Sequence, residues 1–311
     1  MTVPKIRYVK KRFNASSLKV IAQANEIIAN YTAQGYSLTL RQLYYQFVSR
    51  DLLPNKQANY NRLGSIVNDA RLAGLIDWNA IEDLTRELRA LPFWASPEEI
   101  VRSCADQFRV DLWAGQPARV EVWIEKDALR NVVARACHEF NVPYFSCRGY
   151  TSQSEMWSAA QRMIRRKKEQ RQNTIVLHFG DHDPSGLDMT RDIEDRIALF
   201  TRAHGAGGCM KLSRLALNMD QIEQYNPPPN PAKATDARFA AYQAEHGDES
   251  WELDALEPAV IEALVRDFIE STIDGDLFAE KRDEQARHRE QLGTVAGSWP
   301  EVVSLIEDGR I

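Results

Sequence analysis

His178-Phe-Gly-Asp-His-Asp-Pro-Ser-Gly-Leu-Asp-Met189, HFGDHDPSGLDM, follows the apolar run Thr174–Leu177, TIVL. A short apolar run bounded by Gly and Pro reads as a buried strand. The stretch that follows Pro184, SGLDMTRDIEDRIALF, carries apolar residues at helical spacing. Between strand and helix stand two aspartates one residue apart. Alternation puts Asp181 and Asp183 on one side and His182 on the other. Two like charges at the rim of an apolar core cost free energy unless something positive lies between them.

The same rhythm extends in both directions. RVEVWIE reads as a strand, and KDALRNVVARACHEF as a helix with Leu129, Val132, Val133, Ala136 and Phe140 in line. VPYFSCRG is a second strand, Ser152 and Glu155 form a capping box on SEMWSAAQRMIRRKK, and MKLSRLALN follows the TIVL helix as a fourth strand. Strand and helix in alternation predict right-handed crossovers and a parallel sheet flanked by helices, an α/β fold over residues 119–275. Ligands of such sheets bind beyond the carboxyl ends of the strands. Glu125 ends the first strand, and Asp181 and Asp183 end the third. Adjacent strands lie about 5 Å apart, so these three acids are expected to converge on Mg²⁺, with Mn²⁺ as a substitute. Gly149, after the second strand, would admit a phosphate to the backbone, and Gly186 would let the next helix start without a clash.

Ahead of the sheet, three helical patterns span residues 15–95. Ser16 and Ser17 can cap the first, which carries Leu18, Ile21, Ala22 and Ile28. The second begins near Thr39 and aligns Leu40, Leu43, Tyr44, Phe47 and Val48. The third buries Leu63, Ile66, Val67 and Ala70 and shows Asn61, Arg62, Ser65, Asn68 and Arg71 on its other face. Gly74 stops it, and LIDW (75–78) reads as a short strand. Three helices and a strand point to a winged helix-turn-helix with the third helix as the groove reader. LPFWASPEE then leads into a helical linker, 96–118, and residues 276–311 form a helical tail. On the second helix Tyr44 falls in the apolar stripe, while Tyr45 lies about 100° around, on the open face, with Arg41 four residues before it.

The composition, 44% hydrophobic and 27% charged, is that of a water-soluble globular protein, and no apolar run is long enough to span a membrane. The start of the chain lacks the apolar segment of a secretory signal. Cys104, Cys137, Cys147 and Cys209 form no CxxC pair, so a reducing cytoplasm, close to the nucleoid, is expected. Net charge is −5, yet residues 1–14 form a basic arm with Lys5, Arg7, Lys10, Lys11 and Arg12. Between Asp248 and Glu280 eleven acids face one base, Arg266. A chain polarised in this way can hold duplex DNA on one face, and Lys10, Lys11, Arg12, Arg62, Asn68, Arg71 and Gly149 are its candidate contacts.

Glu on the first strand, Gly on the second and Asp-x-Asp on the third resemble the Toprim domain, in the segments VWIEKDAL, RGYTSQSE and GDHDPSG. A dehalogenase places its Asp-x-Asp on the first strand, with Thr or Val where this chain has Ser185. Arg41-x-x-Tyr44-Tyr45 in a winged-helix domain ahead of Toprim resembles the A subunit of type IIB topoisomerases, nearest to the short single-chain versions of mobile elements. The resemblance covers residues 15 to 275. It implies a tyrosine nucleophile at Tyr45 assisted by Arg41, with Mg²⁺ on Glu125, Asp181 and Asp183. It also implies a homodimer in which the tyrosine of one protomer works with the metal of the other, leaving 5′-phosphotyrosyl ends. Glu252 is a candidate for a second metal. No GxxxxGK motif is present, so the expected activity is ATP-independent, and an ATPase would be a separate subunit. Two alternatives remain open: a Toprim nuclease that uses water, with Tyr45 a bystander, and a DNA-binding protein with an inert acidic site. The proline-rich segment 225–236 is either a packed loop or a partner-binding arm.

Overall fold

The computed structural model describes residues 5–81 and 91–310. The chain folds as α/β around one four-stranded parallel sheet. Helix α1 (Ala15–Ala33) is capped by Asn14, whose side chain accepts from Ser17 N at 2.8 Å, so the cap lies two residues before the expected serines. Helix α2 (Leu40–Ser49) starts at Thr39 with a complete capping box closed by Gln42. With α3 (Gln57–Leu72) these helices enclose a core of Ile27, Tyr31, Leu43, Phe47, Leu63 and Val67.

The short strand expected at LIDW does not form. Leu75 N closes the end of α3 on Ala70 O, and Asp77 caps a 3-10 turn, Trp78–Ala80. Local capping satisfies backbone groups that a strand would have needed a neighbour for. Among the described residues this lobe has one bridge, Leu38 to Ile81; residues 82–90 of the expected 15–95 domain lie outside them. The basic arm is not free: Tyr8 and Val9 donate to Leu72 O at 2.9 and 3.0 Å, and Lys11 pairs with Asp69.

The linker is helical only over α4 (Pro97–Gln107). Its remainder turns inward because Leu112 and Trp113 are buried, with Trp113 Nε1 donating to Phe140 O at 2.8 Å. Then come β1 (Ala118–Ile124), α5 (Arg130–Glu139), β2 (Tyr144–Ser146), α6 (Gln153–Arg165), β3 (Asn173–Phe179), α7 (Pro184–Ala203) and β4 (Met210–Ala216). The strand order is β2-β1-β3-β4, and every pairing is parallel. On α6, Ser152 accepts from Glu155 N at 3.2 Å, which is one half of the expected capping box. Short helix α8 (Met219–Tyr225) precedes β5 (Asn230–Pro231), and α9 (Phe239–His246) connects β5 to its antiparallel partner β6 (Glu249–Ser250). Helix α10 (Pro258–Thr272) covers one face of the sheet with α5, while α6 and α7 cover the other. The tail, α11 (Gly275–Gly297) and α12 (Trp299–Glu307), returns to the linker: Arg289 Nε donates to Phe108 O at 2.9 Å.

Register sets where the acids emerge. Ile124 pairs with Phe179, so Glu125 and the 180–183 turn leave the sheet side by side, joined by Glu125 N to Phe179 O at 2.8 Å. Arg214, on β4, fixes that turn from behind. Its guanidinium donates to Gly180 O at 2.9 Å, Asp181 O at 2.6 Å, Gly186 O at 3.0 Å and Thr190 Oγ1 at 2.7 Å. Burial lowers its pKa to about 10 against the pull of Glu125, Asp181 and Asp183. Gly186 is needed for closeness: a Cβ there would meet Asp181 O at 2.2 Å. Replacing Arg214 with Met strands these carbonyls without a donor, so urea unfolding should show a loss of about 2–4 kcal/mol. Amide exchange over residues 180–186 should rise with it; unchanged exchange would show that the turn holds itself.

Candidate functional site

The site lies at the carboxyl edge of the sheet, where α2 meets the turn that precedes α10. One backbone contact builds it: His182 and Trp251 exchange hydrogen bonds of 2.8 and 2.9 Å. This brings Glu252 and Asp254 beside the Asp-x-Asp turn, although 69 residues separate the bridged pair (251 − 182). Asp181 Oδ1 accepts from Leu253 N at 2.8 Å, and Glu125 Oε2 accepts from Asp181 N at 2.9 Å. Asp183 turns to α7 instead. As its N-cap it accepts from Gly186 N at 2.6 Å and Ser185 Oγ at 2.8 Å, where the helix N-terminus favours negative charge. His182 points away into an aromatic group with Tyr242, His246 and Trp251, as alternation predicts.

Two cations hold the remaining acids. Lys126 Nζ lies 2.9 Å from Asp181 Oδ1 and 2.8 Å from Asp254 Oδ1, and it also pairs with Glu252. Arg41, reaching over from α2, pairs with Glu252 and places Nε 2.8 Å from Asp254 Oδ2. Burial works against charge on Lys126 and Arg41, but the acids more than offset it and hold both above their ordinary ranges. Glu252, pulled by the two cations against its own burial, falls to about 2. Asp181 goes the other way. Burial, then the fields of Glu125, Asp254 and Glu252, push it up to about 7 against the attraction of Lys126. Glu125 is likewise raised, first by burial.

Tyr45 sits against this group. Its ring lies 5.7 Å from the Arg41 guanidinium carbon, the reach expected from their spacing. The open face expected for it is closed: Tyr45 is 5% exposed, because α2 packs on the 253–255 turn. Burial first, then Asp254 and Glu252, raise its pKa above the ordinary tyrosine value. Tyr44 is a core residue, as its stripe predicts, and receives Lys56 N at 2.8 Å. Arg41, Tyr45, Lys56, Tyr60, Asn230 and Glu252 line one cleft of about 280 Å³. Asn230 belongs to the proline-rich segment, which packs here by a hydrogen bond from Asn55.

The candidate DNA contacts are spread over two places. Lys10, Lys11, Arg12, Arg62 and Asn68 are exposed on the three-helix lobe, with Arg62 donating to Ser16 Oγ at 2.9 Å. Arg71 is folded back, its guanidinium 4.5 Å over the Trp78 ring and donating to Ile81 O at 3.0 Å. Gly149 lies across the sheet edge with φ 88° and open space at its Cα. Sequence reasoning missed Lys126, Asp254 and Arg214. Lys126 adjoins a singled-out acid, and Arg214 is a base inside a strand, so both carried a local signal; Asp254 had none beyond its acidic segment.

Carboxylate oxygens of Asp181, Glu252 and Asp254 surround the Lys126 ammonium, while Glu125 faces the backbone of Asp181. Among the described residues, no three His, Cys, Asp or Glu side chains stand together as a metal-holding group; Asp183 caps a helix and the Lys126 ammonium stands among the others. No protein-family model matches the chain, and no curated protein matches it. Among the described residues, no helix is long and apolar enough to cross a membrane.

The sign of the pH dependence follows from the raised acids. The raised Asp181 binds its proton more tightly in the folded than in the unfolded chain, so its contribution is complete below about pH 4 and is lost as pH rises toward 7; Glu125 is shifted in the same direction. Glu252 acts in the opposite sense, at lower pH. Urea unfolding between pH 5 and 7.5 should therefore show stability falling, by at most about 4 kcal/mol. Asp181→Asn should flatten the profile; a variant profile as steep as wild type would remove Asp181 as its source.

Proposed function

We propose that the chain is a divalent-metal-dependent DNA-cleaving transesterase of the type IIB topoisomerase A-subunit kind, with a Toprim-like sheet and a DNA-binding helical lobe. The observation that carries this reading is Arg41, which links Tyr45 to Glu252 and Asp254. A tyrosine, an arginine and the acidic edge of a parallel sheet thus share one cleft, with Lys56 beside them. Mg²⁺ bound at Glu125, Asp181 and Glu252 would supply charge stabilisation to the phosphoryl oxygens.

In the cleavage step Tyr45 Oη attacks phosphorus, the P–O3′ bond breaks, and the 3′ oxygen leaves as a hydroxyl by taking up a proton. The tyrosine proton passes to a carboxylate of the cleft. Arg41 is placed to donate to the phosphate as charge develops. The basic arm and the exposed face of α3 would seat the duplex, as phosphate contacts do. The related dimers implied by the sequence set tyrosine against the partner's metal; here Arg41 and Tyr45 face the acids of their own chain.

One observation favours a second reading. Tyr45 is buried and held protonated by its surroundings, which suits a packing role and leaves water as the nucleophile of a metal-dependent nuclease. Supercoiled plasmid incubated with protein and Mg²⁺ or Mn²⁺, stopped with detergent and run with and without protease, separates the two. The transesterase reading expects linear DNA carrying protein that only protease removes, and none with Tyr45→Phe. Protein-free ends from both proteins would establish the nuclease. DNA bound but never cut, in either metal, would leave an acidic site without this chemistry and overturn both.

A further inference from the structure

Helix α3 begins at Gln57 with no side-chain cap and no acid in its first turn. Lys56 O accepts from Asn59 N at 2.9 Å and from Tyr60 N at 3.2 Å, and Lys56 N donates to Tyr44 Oη at 2.8 Å. Among the described residues, the Gln57 and Ala58 N–H groups have no acceptor. Such first-turn groups carry the positive end of the helix and can donate to an anion. This end is held in place, since Asn59 Nδ2 donates to Pro54 O at 2.8 Å and Asn55 donates to Asn230.

A second observation points to a ligand here. Asn55, Lys56 and Gln57 line the same cleft as Tyr45. Tyr45 is 5% exposed, yet its hydroxyl has no hydrogen-bond partner among the described residues. A buried phenol ordinarily finds one. Glu252, also on the cleft, is already taken by Lys126 and Arg41, whereas the Lys56 ammonium is exposed and has no ion pair among the described residues. Backbone N–H groups, an ammonium and a protonated phenol are all donors, so the ligand that suits them is an anion with several oxygens.

We propose that the N-terminus of α3 seats a backbone phosphate of duplex DNA, with Gln57 N, Ala58 N and the Lys56 ammonium donating to it and Tyr45 Oη beside it. This deepens the DNA reading above and rests on it for the source of the phosphate. Helix α3 then has two parts to play. Its exposed face meets the duplex, and its first turn positions the phosphate that Tyr45 can reach.

The test is fluorescence anisotropy of a labelled duplex without 5′-phosphates, in EDTA, so that binding is read apart from metal-dependent cleavage. Gln57→Pro deletes one N–H at the first helical position, where proline is tolerated, and the extended Lys56 before it (φ −145°, ψ 137°) accepts a following proline. It should weaken binding about tenfold, as loss of a hydrogen bond to a charged group does, and leave the salt dependence as it is. Lys56→Met should weaken binding and reduce the salt slope by about one. Gln57→Glu should weaken binding while the melting temperature holds or rises, because an acid in the first turn suits the helix and repels a phosphate. A merely structural role would lower both together. Should the Pro variant fail to fold, Gln57→Glu carries the comparison. Wild-type affinity in both Gln57 variants would overturn the seat and leave the DNA reading standing. No duplex binding by wild type would overturn the DNA reading, and the backbone source with it. Equilibrium dialysis showing that wild type binds inorganic phosphate, but no duplex, would make free phosphate the occupant and overturn the proposal.

Discussion

Five carboxylates, those of Glu125, Asp181, Asp183, Glu252 and Asp254, gather where the sheet edge meets the helical lobe, and their neutralisation organises the region. Each is handled differently. Asp183 is placed on a helix N-terminus, and Glu125 accepts a backbone N–H. Lys126 and Arg41 divide Asp181, Glu252 and Asp254 between them. Arg214 approaches from behind and spends its donors on carbonyls, which fixes the turn while adding positive charge beneath it. An acidic group of this kind is costly unless it is paired, and burial holds Asp181 and Glu125 above the ordinary carboxylate range even with their partners in place.

That pairing ties the two lobes together. Arg41 is the helical lobe's contribution to a charge problem created by the sheet, and Tyr31 and Tyr36 add hydrogen bonds to Glu257 and Glu262 along the same boundary. Tyr45 rides on the helix that supplies Arg41, so the ion pair that neutralises Asp254 also buries the tyrosine. Burial and the fields of Asp254 and Glu252 disfavour the ionised form of its hydroxyl.

Much of this was legible along the chain. The alternation of strand and helix, the turn after TIVL and the position of Glu125 at a strand end are local patterns, and the parallel sheet follows them. Thr39 marked the start of α2, and the four-residue spacing from Arg41 to Tyr45 placed guanidinium and ring together. Where local reading failed, a competing contact won. LIDW has strand composition, but the end of α3 and the Asp77 cap satisfy its backbone first. Tyr45 looked open on its own helix because the surface that covers it lies some two hundred residues away, at 253–255.

By itself, then, the sequence determined the class of fold and the strand ends from which Glu125, Asp181 and Asp183 emerge, since each depends on periodicity and on neighbours within a few residues. Tertiary structure alone decided the charge state and company of those acids. The bridge between His182 and Trp251 delivers Glu252 and Asp254 to the Asp-x-Asp turn, and only then do Lys126 and Arg41 have common partners. A Coulomb interaction depends on distance in space and on what solvent is excluded, and neither quantity is written in the spacing of residues along the chain.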